Sequence, residues 1–347
     1  MFSRSKLRPI LVVGDSWPTI EVDRDSSLYL LDQGTRNHRV AAWWAEPKDL
    51  FVRANELWVN AFPVLFKDSA VVPFPKLEKK RKLIPVKKFS HLLWRCDPPV
   101  TLETHRMWAL LDCDSESNVV NDPRAMAVWN EKFALLKYSK WAIPSWIIND
   151  EAALRRELTG LRGKSLLLKP SAAAASYGVK LLSKSLKSNL AIYRNTVKKY
   201  GPVVVLQEVD HRIHQLGEFR FFAIGGRVVD AVQKFPGSND PVMNWYTTKI
   251  NQPRLQMADS NTVEFRKAER RARQVAKDLM RDGIFLASID FIGERILEIN
   301  VTSPGLLKWV DEVGRFTQKK PKRKTLAELF WGELFTSSNK RDRKSVV

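Results

Sequence analysis

Residues 288–304 read SIDFIGERILEINVTSP, in which apolar and polar residues alternate on both sides of the Gly-Glu-Arg tripeptide at 293–295. Alternation with a period of two is typical of strands with one buried face, so the stretch predicts a β-hairpin. With residues 293–295 as its loop, Asp290 lies directly opposite Glu298, and Ser288 lies opposite Asn300. A two-residue loop would place the two carboxylates on opposite faces, because a slip of one residue turns every side chain over. The pattern therefore favours the three-residue loop.

This register also predicts the chemistry of the polar face of the hairpin. Two carboxylates and one amide, from Asp290, Glu298 and Asn300, converge there, and hard oxygen ligands of this kind suit Mg²⁺. A solvent-exposed hairpin face is the competing interpretation. The apolar residues share the opposite face: Ala287, Ile289, Phe291, Leu297, Ile299 and Val301.

The composition is that of an ordinary globular chain, and its 347 residues are enough for two or three subdomains. No run of about 18 uncharged apolar residues occurs, so no membrane span is predicted. The apolar run 10–13 is too short for the hydrophobic part of a signal peptide and predicts a buried first strand. Cys96 and Cys113 have neither metal nor redox spacing, which favours a cytoplasmic location.

The formal net charge is +20 at pH 7. Such an excess predicts an anionic partner or environment, for which a nucleotide is one candidate. The densest basic runs are residues 79–82, 266–273 and 319–324. The second run lies on a predicted helix, Thr262 to Asp282, whose apolar stripe makes its charges a solvated face. Nucleic-acid binding remains an alternative, although no helix-turn-helix, zinc or RNA-binding signature accompanies the charge.

The run from Asp290 to Pro304 fits the pattern D-x-I-G-[DE]-R-x-x-E-I-N-V-T-S-P. It resembles the metal-binding end of the glutathione synthetases, which are members of the ATP-grasp ligases. The resemblance implies that Asp290, Glu298 and Asn300 hold the Mg²⁺ ions that bridge the phosphates of ATP.

The N-terminal part resembles the bacterial members of that family, which open with a strand, an Asp-containing loop and a D-S-S helix start at this spacing. This implies that Asp25 and Ser27 contact substrate, although helix capping accounts for both residues equally well. The segment R-x-D-P-P at 95–99 implies that Arg95 lies near the carboxylate of a peptide substrate, with a surface ion pair as the alternative. Ser303, in the T-S-P segment, is a further predicted substrate contact.

The nucleotide side of the family is matched in several short segments. Lys132 of N-E-K and Lys169, at the end of the predicted strand 166–170, match two lysines that reach the nucleotide phosphates. The residues that follow the strand after 203 match the hinge whose backbone pairs with adenine: Gln207, Glu208 and Val209.

The segment G-E-F-R at 217–220 supplies the predicted catalytic residue. Glu218 matches an acid near the ribose or the metal–nucleotide, and Arg220 matches an arginine that faces the acyl phosphate. An arginine suits this task because it offers fixed, permanently charged donors. Lys234 stands where the family has a phosphate-binding arginine, so the charge is kept and the bidentate geometry is lost.

Two segments depart from the family. Its phosphate loop is rich in glycine, whereas this chain has SAAAASYG at 171–178, with Ala173 and Ser176 where glycines are usual. Small residues still leave room for backbone amides to meet phosphate, so Ser176 is predicted to contact the nucleotide. Between residues 237 and 254 the chain has Asn244 and Lys249 but no Gly-Gly pair, which predicts altered substrate contacts.

The resemblance, which covers residues 10–304, implies α/β and α+β architecture. The expected fold is the ATP-grasp fold preceded by an N-terminal Rossmann-like domain. We expect an N-terminal substrate-side domain at 1–120, a small ATP-grasp subdomain at 121–200 and a C-terminal subdomain with the metal site at 201–318. A basic tail at 319–347 would contain a short helix, 326–335, and a polar disordered end.

The implied activity is an ATP- and Mg²⁺-dependent ligation of a carboxylate to an amine through an acyl phosphate. The expected partners are a small-molecule carboxylate and an amine, each an amino acid or a peptide. A nucleotide-binding but inactive relative with a regulatory or scaffolding role is one alternative, and a basic nucleic-acid-associated protein is another. The sequence leaves the oligomeric state open, a homo-oligomer included.

Overall fold

The computed structural model describes residues 7–66, 75–77, 80–174, 176–238, 240–243, 253–317 and 324–344. The predictions for Asn244 and Lys249 lie outside these residues, as does most of the basic run 319–324.

The described strands form three sheets, and the first is an open sheet around β1. Its strands are β1 (Arg8–Val13), β2 (Val40–Ala45), β3 (Leu50–Arg53), β4 (Glu56–Phe66), β5 (Pro75–Leu77), β6 (Lys82–Pro85), β7 (His91–Trp94) and β8 (Val119–Val120). Their order is β3-β4-β2-β1-β7-β8, and β5 and β6 pair with β4. Because β1 runs parallel to both β2 and β7, the carboxyl ends of β1 and β7 meet at one edge, where open α/β sheets bind ligands.

The second sheet is antiparallel and has the order β11-β10-β12-β9. Its strands are β9 (Ser145–Ile148), β10 (Leu166–Pro170), β11 (Lys180–Leu181) and β12 (Val204–Glu208). The predicted subdomain boundary between residues 200 and 201 falls before β12, although β12 pairs with both β10 and β9. The boundary at 200 is therefore wrong for this sheet, because its central strand comes last in the chain.

The third sheet is also antiparallel, with the order β15-β14-β13-β16-β17. Its strands are β13 (Glu218–Ile224), β14 (Arg227–Phe235), β15 (Arg254–Met257), β16 (Leu286–Ile292) and β17 (Arg295–Asn300). The pair β16–β17 is the predicted hairpin. Asp290 lies opposite Glu298, and Ser288 lies opposite Asn300, so the predicted register is confirmed.

The loop of this hairpin differs from the prediction. Ile292 pairs with Arg295, which leaves a two-residue turn, and the register shifts between Asp290 and Phe291. A β-bulge at Leu297 thus supplies the extra residue that the longer loop was expected to supply. Leu297 consequently leaves the face of Ile299 and packs in a small separate cluster, while Ile296 takes its expected place in the main core.

The helices of the described residues cover these sheets. They are α1 (Ser26–Asn37), α2 (Leu102–Cys113), α3 (Pro123–Val128), α4 (Glu151–Gly160), α5 (Leu186–Tyr200), α6 (Ile213–Leu216), α7 (Val263–Arg281), α8 (Leu307–Thr317) and α9 (Leu326–Lys344). Helix α7 confirms the helix predicted from its apolar stripe, which is buried against the third sheet. None of the described helices is long and apolar enough to cross a membrane.

The C-terminal helix is longer than the sequence predicts. It begins at Leu326 as expected but continues to Lys344, where a disordered end was predicted. Its apolar residues pack with α1 and with the third sheet in one core, because Phe330, Trp331 and Leu334 are all buried there. The predicted helix 326–335 is therefore confirmed as part of the folded core, whereas the disorder predicted for residues 336–344 is wrong.

A single side chain also joins the first sheet to the third. Asn121 follows β8, is buried, and donates hydrogen bonds to the carbonyl oxygens of Leu286 (2.8 Å) and Val301 (2.7 Å). Its own carbonyl accepts from the amides of Phe285 and Leu286, both at 2.8 Å. The end of β8 is thus fixed to the start of β16 and to the residue after β17.

Candidate active site

Asp290 and Arg220 form the centre of the site. They lie side by side on β16 and β13, and Arg220 donates from Nε and Nη2 to the two carboxylate oxygens at 2.8 and 2.6 Å. The amide of Asn300 donates to the same carboxylate at 3.1 Å. Burial alone would raise the pKa of Asp290, but the charges of Arg220 and Lys234 lower it below its ordinary range. Asp290 is therefore held as a carboxylate in a buried position.

A second ion pair lies beside it on β13 and β14. Glu218 and Lys234 are directly opposite each other in the sheet, both are buried, and their side chains are in contact. Nζ of Lys234 also lies 3.7 Å from Asp290. Burial raises the pKa of Glu218 to about 7, with Lys234 acting in the opposite direction. The predicted acid and the predicted phosphate-binding lysine thus share one charged cluster with Asp290.

Lys132 connects this cluster to the loop at 171–178. Its Nζ lies 3.1 Å from the carboxylate of Glu298 and donates to the carbonyl of Ala173 at 2.6 Å. In the same loop, Ser176 has a φ of +61° and donates from its hydroxyl to the carbonyl of Met243 at 2.8 Å. Ser176 therefore adopts the backbone conformation for which the family's glycine is suited.

Lys169 ends in the same region from the second sheet. It is buried, and its Nζ donates to the side-chain carbonyl of Gln207 at 2.5 Å. The amide of Gln207 in turn donates to the hydroxyl of Ser145 at 3.0 Å. Burial lowers the pKa of Lys169. Gln207 was predicted as part of the hinge whose backbone pairs with adenine, and its side chain contacts this lysine.

The other two predicted hinge residues line a cavity of about 210 Å³. Glu208 and Val209 form one wall, and the other walls come from residues 210–212, which precede α6, from Ile143 and from residues 294–295 at the β16–β17 turn. The backbone amides of Glu208 and Val209 donate to the carbonyls of Pro144 and Ser165, at 3.0 and 2.9 Å. These two backbone amides are therefore already hydrogen-bonded within the protein.

The four predicted substrate contacts come together at the edge of the first sheet. Arg95 is buried, and it donates from Nε to the hydroxyl of Ser27 and from Nη2 to the carbonyl of Pro304, both at 3.0 Å. The hydroxyl of Ser303 donates to the carbonyl of Arg95 at 3.3 Å. Asp25 caps α1 by accepting from the amide of Leu28 at 2.6 Å, as predicted for a capping residue. The alternative of a surface ion pair at Arg95 is wrong, because the guanidinium is buried.

Two aspartates at this edge were missed in the sequence. Asp15 follows β1, Asp97 follows β7, and the carboxylate of Asp15 accepts from the amide of Asp97 at 3.0 Å. Burial raises the pKa of Asp15 to about 6, and it also raises the pKa of Asp25. The charges of Asp15, Asp25 and Asp97 all act on Arg95. The sequence could have indicated these two aspartates through the predicted parallel strands β1 and β7, because the residues that follow two adjacent parallel strands lie close together.

Glu131 was missed as well, although it stands in the N-E-K segment. It is buried, and its backbone carbonyl accepts from the amide of Ile299 at 3.3 Å. Burial raises the pKa of Glu131 to about 7. The segment was interpreted only through its lysine, so the glutamate received no role.

Two family models match the chain. One, described as prokaryotic glutathione synthetase, N-terminal domain, matches residues 9–126. The other, described as prokaryotic glutathione synthetase, ATP-grasp domain, matches residues 131–315. The chain belongs to the prokaryotic glutathione synthetase family.

Relatives in this family match almost end to end. The glutathione synthetase of Prochlorococcus marinus subsp. pastoris is 25% identical over 305 residues, which cover 87% of this chain and 93% of the relative. That of Parasynechococcus marenigrum is 26% identical over 330 residues, with 92% and 98% covered.

Solved structures confirm the predicted fold of this glutathione synthetase family member. A D-cycloserine synthetase superposes with a TM-score of 0.63 at 13% identity, over 95% of this chain and 99% of its own. D-alanyl-alanine synthetase A from Vibrio cholerae gives a TM-score of 0.61 at 12% identity, over 96% and 99%. The architecture is thus the ATP-grasp fold with an N-terminal α/β domain. The chain is an ATP-dependent ligase that forms amide bonds.

The residues present suit the Mg²⁺ with which ATP-grasp ligases use ATP. Asp290, Glu298 and Asn300 offer oxygen atoms only, as Mg²⁺ prefers. The hydroxyl of Ser288, opposite Asn300, is buried and has no hydrogen-bond partner among the residues described. Across the described part of the chain no three His, Cys, Asp or Glu side chains converge as a metal site, so the third ligand would be the amide oxygen of Asn300.

Proposed function

We propose that this ligase activates the carboxylate of an amino acid or short peptide with Mg·ATP and joins it to the amine of a second amino acid or peptide. The convergence of Asp290, Glu298 and Asn300 with four cationic side chains supports this proposal most directly. Those cations are Lys132, Lys169, Arg220 and Lys234.

The nucleotide would lie between the second and third sheets. The cavity beside Glu208 and Val209 would accommodate its base, and the lysines at 132, 169 and 234 would face its phosphates. Asp290, Glu298 and Asn300 would hold the Mg²⁺, which would supply positive charge against the charge that moves during phosphoryl transfer. The loop at 171–178 would cover the phosphates, since Ala173 already contacts Lys132.

The acid substrate would be anchored at Arg95. Its Nη1 is buried and makes no hydrogen bond to the residues that the structure describes, so it is free to donate to a carboxylate. Asp15, Asp25 and Asp97 surround this guanidinium, and their excess of negative charge suits an ammonium group on the same substrate. The site therefore favours a zwitterion, such as the free end of an amino acid or peptide.

The distance between the two halves of the site limits the substrate. Asn300 belongs to the predicted metal site, and the carbonyl of Pro304 accepts from Arg95. Four residues of extended backbone span at most about 14 Å. A dipeptide anchored at Arg95 fits this separation and can present a second carboxylate to the phosphates.

The reaction proposed for these residues has two steps. A carboxylate oxygen of the acid substrate attacks the γ-phosphorus of ATP, the bond to the β-phosphate oxygen breaks, and ADP leaves. Arg220 and Lys234 face the acyl phosphate that results. The amine then attacks the acyl carbon, the phosphate departs with the bonding electron pair, and the amine loses a proton. No covalent bond to the protein is needed, so catalysis rests on orientation and charge.

Phosphate release from ATP tests the proposal, with pairs of amino acids and dipeptides as acid and amine. We expect release only when both partners are present. Glu298→Gln should abolish it and weaken Mg·ADP binding in calorimetry, whereas Glu312→Gln on α8 is the matched control. Mg·ADP binding without release for any pair would favour the inactive nucleotide-binding alternative. Absence of Mg·ADP binding would overturn the proposal.

A further inference from the structure

We propose that the cavity between α7 and Trp141 binds the phosphate backbone of a single-stranded nucleic acid. The cavity has a volume of about 360 Å³, and it is lined by Trp141, Lys267, Arg270 and Arg271. None of these residues belongs to the nucleotide site or to the acid-substrate site described above. The inference is therefore independent of the proposed ligase activity.

The three cations of the cavity lie on one face of α7. Lys267, Arg270 and Arg271 are three and four residues apart, so they are neighbours on the helix surface, where like charges repel. Glu269 and Asp278 of the same helix pair instead with arginines four and three residues further on, at 2.6 and 3.0 Å. Among the residues that the structure describes, Lys267 and Arg270 are exposed and make no ion pair. An anion from outside the chain would relieve their repulsion.

Arg271 and Trp141 form an ordered wall of this cavity. The Cζ atom of Arg271 lies 5.6 Å from the indole centroid, and its Nη1 donates to the carbonyl of Glu294. The indole of Trp141 is stacked on Tyr138, with ring centroids 5.8 Å apart, and the hydroxyl of Tyr138 donates to Asp278 at 2.9 Å. An arginine held in this way loses little freedom when it binds a phosphate, because its planar fork is already oriented.

The positive charge continues along α7 beyond the cavity. Arg266 and Lys277 are exposed as well, and within the described part of the chain neither makes an ion pair. Between these two residues the helix rises about 16 Å, a length over which a nucleic-acid strand presents several phosphates. The surface therefore matches a polyanion better than a single phosphate group, and the net charge of +20 favours its approach.

The shape and composition of this surface favour a nucleic-acid strand over other polyanions. Cationic grooves with aromatic side chains are typical of proteins that bind single strands. A lipid surface would need exposed apolar residues, whereas α7 buries its apolar stripe against the third sheet. A duplex is stiff over this length, whereas the backbone of a single strand can bend into a concave site.

The fluorescence anisotropy of a short, fluorescein-labelled oligo(dT) tests the inference. We expect wild-type protein to bind it and the affinity to fall as the salt concentration rises. Lys267→Gln/Arg270→Gln should lower the affinity about tenfold or more at low salt. It should also reduce the slope of the logarithm of affinity against that of salt concentration by about 1.4, since each phosphate contact with a single strand contributes about 0.7.

A second double variant separates the site from the net charge. Lys187→Gln/Lys198→Gln removes the same charge from exposed positions on α5 and should bind the oligonucleotide nearly as wild type does. Because all four residues are exposed, both variants should keep the wild-type urea midpoint. If the α7 variant is less stable, the single variants Lys267→Gln and Arg270→Gln take its place, each with about half the change in slope.

Three results would overturn the inference. The first is wild-type protein that does not bind the oligonucleotide at low salt. The second is an equal loss in the two double variants, which would assign binding to net charge alone. The third is competition by poly-glutamate or by a DNA duplex as strong as that by unlabelled oligo(dT), which would assign this face to an acidic protein or to duplex. All three leave the proposed ligase function untouched, because the two sites share no residue.

Discussion

At the scale of single residues, the site is a balance of buried charges. Four carboxylates face the four cations of the nucleotide side, and unpaired burial of any of them is costly. The carboxylates are Glu131, Glu218, Asp290 and Glu298. The charges thus compensate one another before any ligand arrives, and they would be redistributed when a nucleotide and its metal enter together.

Removing one member of the buried pair Glu218–Lys234 should destabilise the fold. Lys234→Met leaves an uncompensated carboxylate, and breaking a buried pair in this way costs about 3–5 kcal/mol. Combining it with Glu218→Gln removes the unpaired charge and should restore most of the stability. Urea unfolding of the single and double variants at pH 7.5 measures this. A double variant as unstable as Lys234→Met would contradict the argument.

Asp15 should make the stability depend on pH. Its pKa rises from 3.8 to about 6 on folding, chiefly because of burial. Between about pH 4 and pH 6 the folded state therefore holds more protons, and the free energy of unfolding contributed by this group falls as the pH rises. A shift of this size corresponds to about 3 kcal/mol, which partial exposure to solvent reduces to about 1 kcal/mol.

Asp15→Asn should consequently stabilise the protein by about 1 kcal/mol at pH 7.5 and leave it unchanged at pH 3.5. It should also weaken binding of a zwitterionic acid substrate, because one of three negative charges around Arg95 is lost. Chemical unfolding at both pH values, with substrate titration at pH 7.5, checks this. A variant with the same stability difference at both pH values would contradict the assignment to this carboxyl group.

The site residues that the sequence predicts best are those that lie in a recognisable motif and whose side-chain type suits one chemical role. Asp290, Glu298, Lys132 and Arg220 fall in recognisable segments, and the fold brings them together. Asp97 and Glu131 lie in two such segments and still received no role, because their contacts are with partners on other elements. The side chain of Gln207 likewise turns toward Lys169 for a reason that only the pairing of β10 with β12 reveals.

At the scale of elements, the hairpin shows what periodicity can and cannot predict. Asp290 and Glu298 lie opposite each other because of their spacing, and this holds whether a longer loop or a bulge supplies the one additional residue between the strands. A three-residue loop and a two-residue turn with a bulge give that same register, so alternation alone does not distinguish them. Similarly, the predicted boundary at 200 placed β12 in the C-terminal subdomain, because an apolar run does not say which strands it pairs with.

Asn121 should be the most sensitive connection between elements. Its side chain makes four hydrogen bonds to backbone groups of the third sheet, and none of them can be replaced by water while the site stays buried. Asn121→Ala should lower the free energy of unfolding by about 3 kcal/mol or more, since several buried groups lose their partners. Asn118→Ala, at an exposed position, is the control. Equal urea midpoints for the two variants would contradict this role.

At the scale of the whole molecule, the ends of the chain are packed together. The indole of Trp331 on α9 donates to the carbonyl of Leu30 on α1 at 2.8 Å and lies against Gly34. Glu333 on the same helix pairs with Arg227 of the third sheet. Contacts between residues some 300 positions apart leave no local pattern in the sequence, so the packing of α9 on α1 could not be predicted from it.

This packing predicts a long-range effect on the substrate site. Trp331 is fully buried, and Trp331→Ala should lower the free energy of unfolding by about 3–5 kcal/mol. Because α1 carries Ser27 and Asp25 at its start, a loosened α1 should also weaken binding of the acid substrate at Arg95, while Mg·ADP binding between the other two sheets changes little.

Thr336→Ala, exposed on the same helix, is the matched control. Calorimetry of each ligand with the folded variants measures both effects. Equal losses of affinity for ADP and for the acid would show that α9 stabilises the molecule uniformly; a selective loss of the acid would show that the C-terminal helix supports one half of the site.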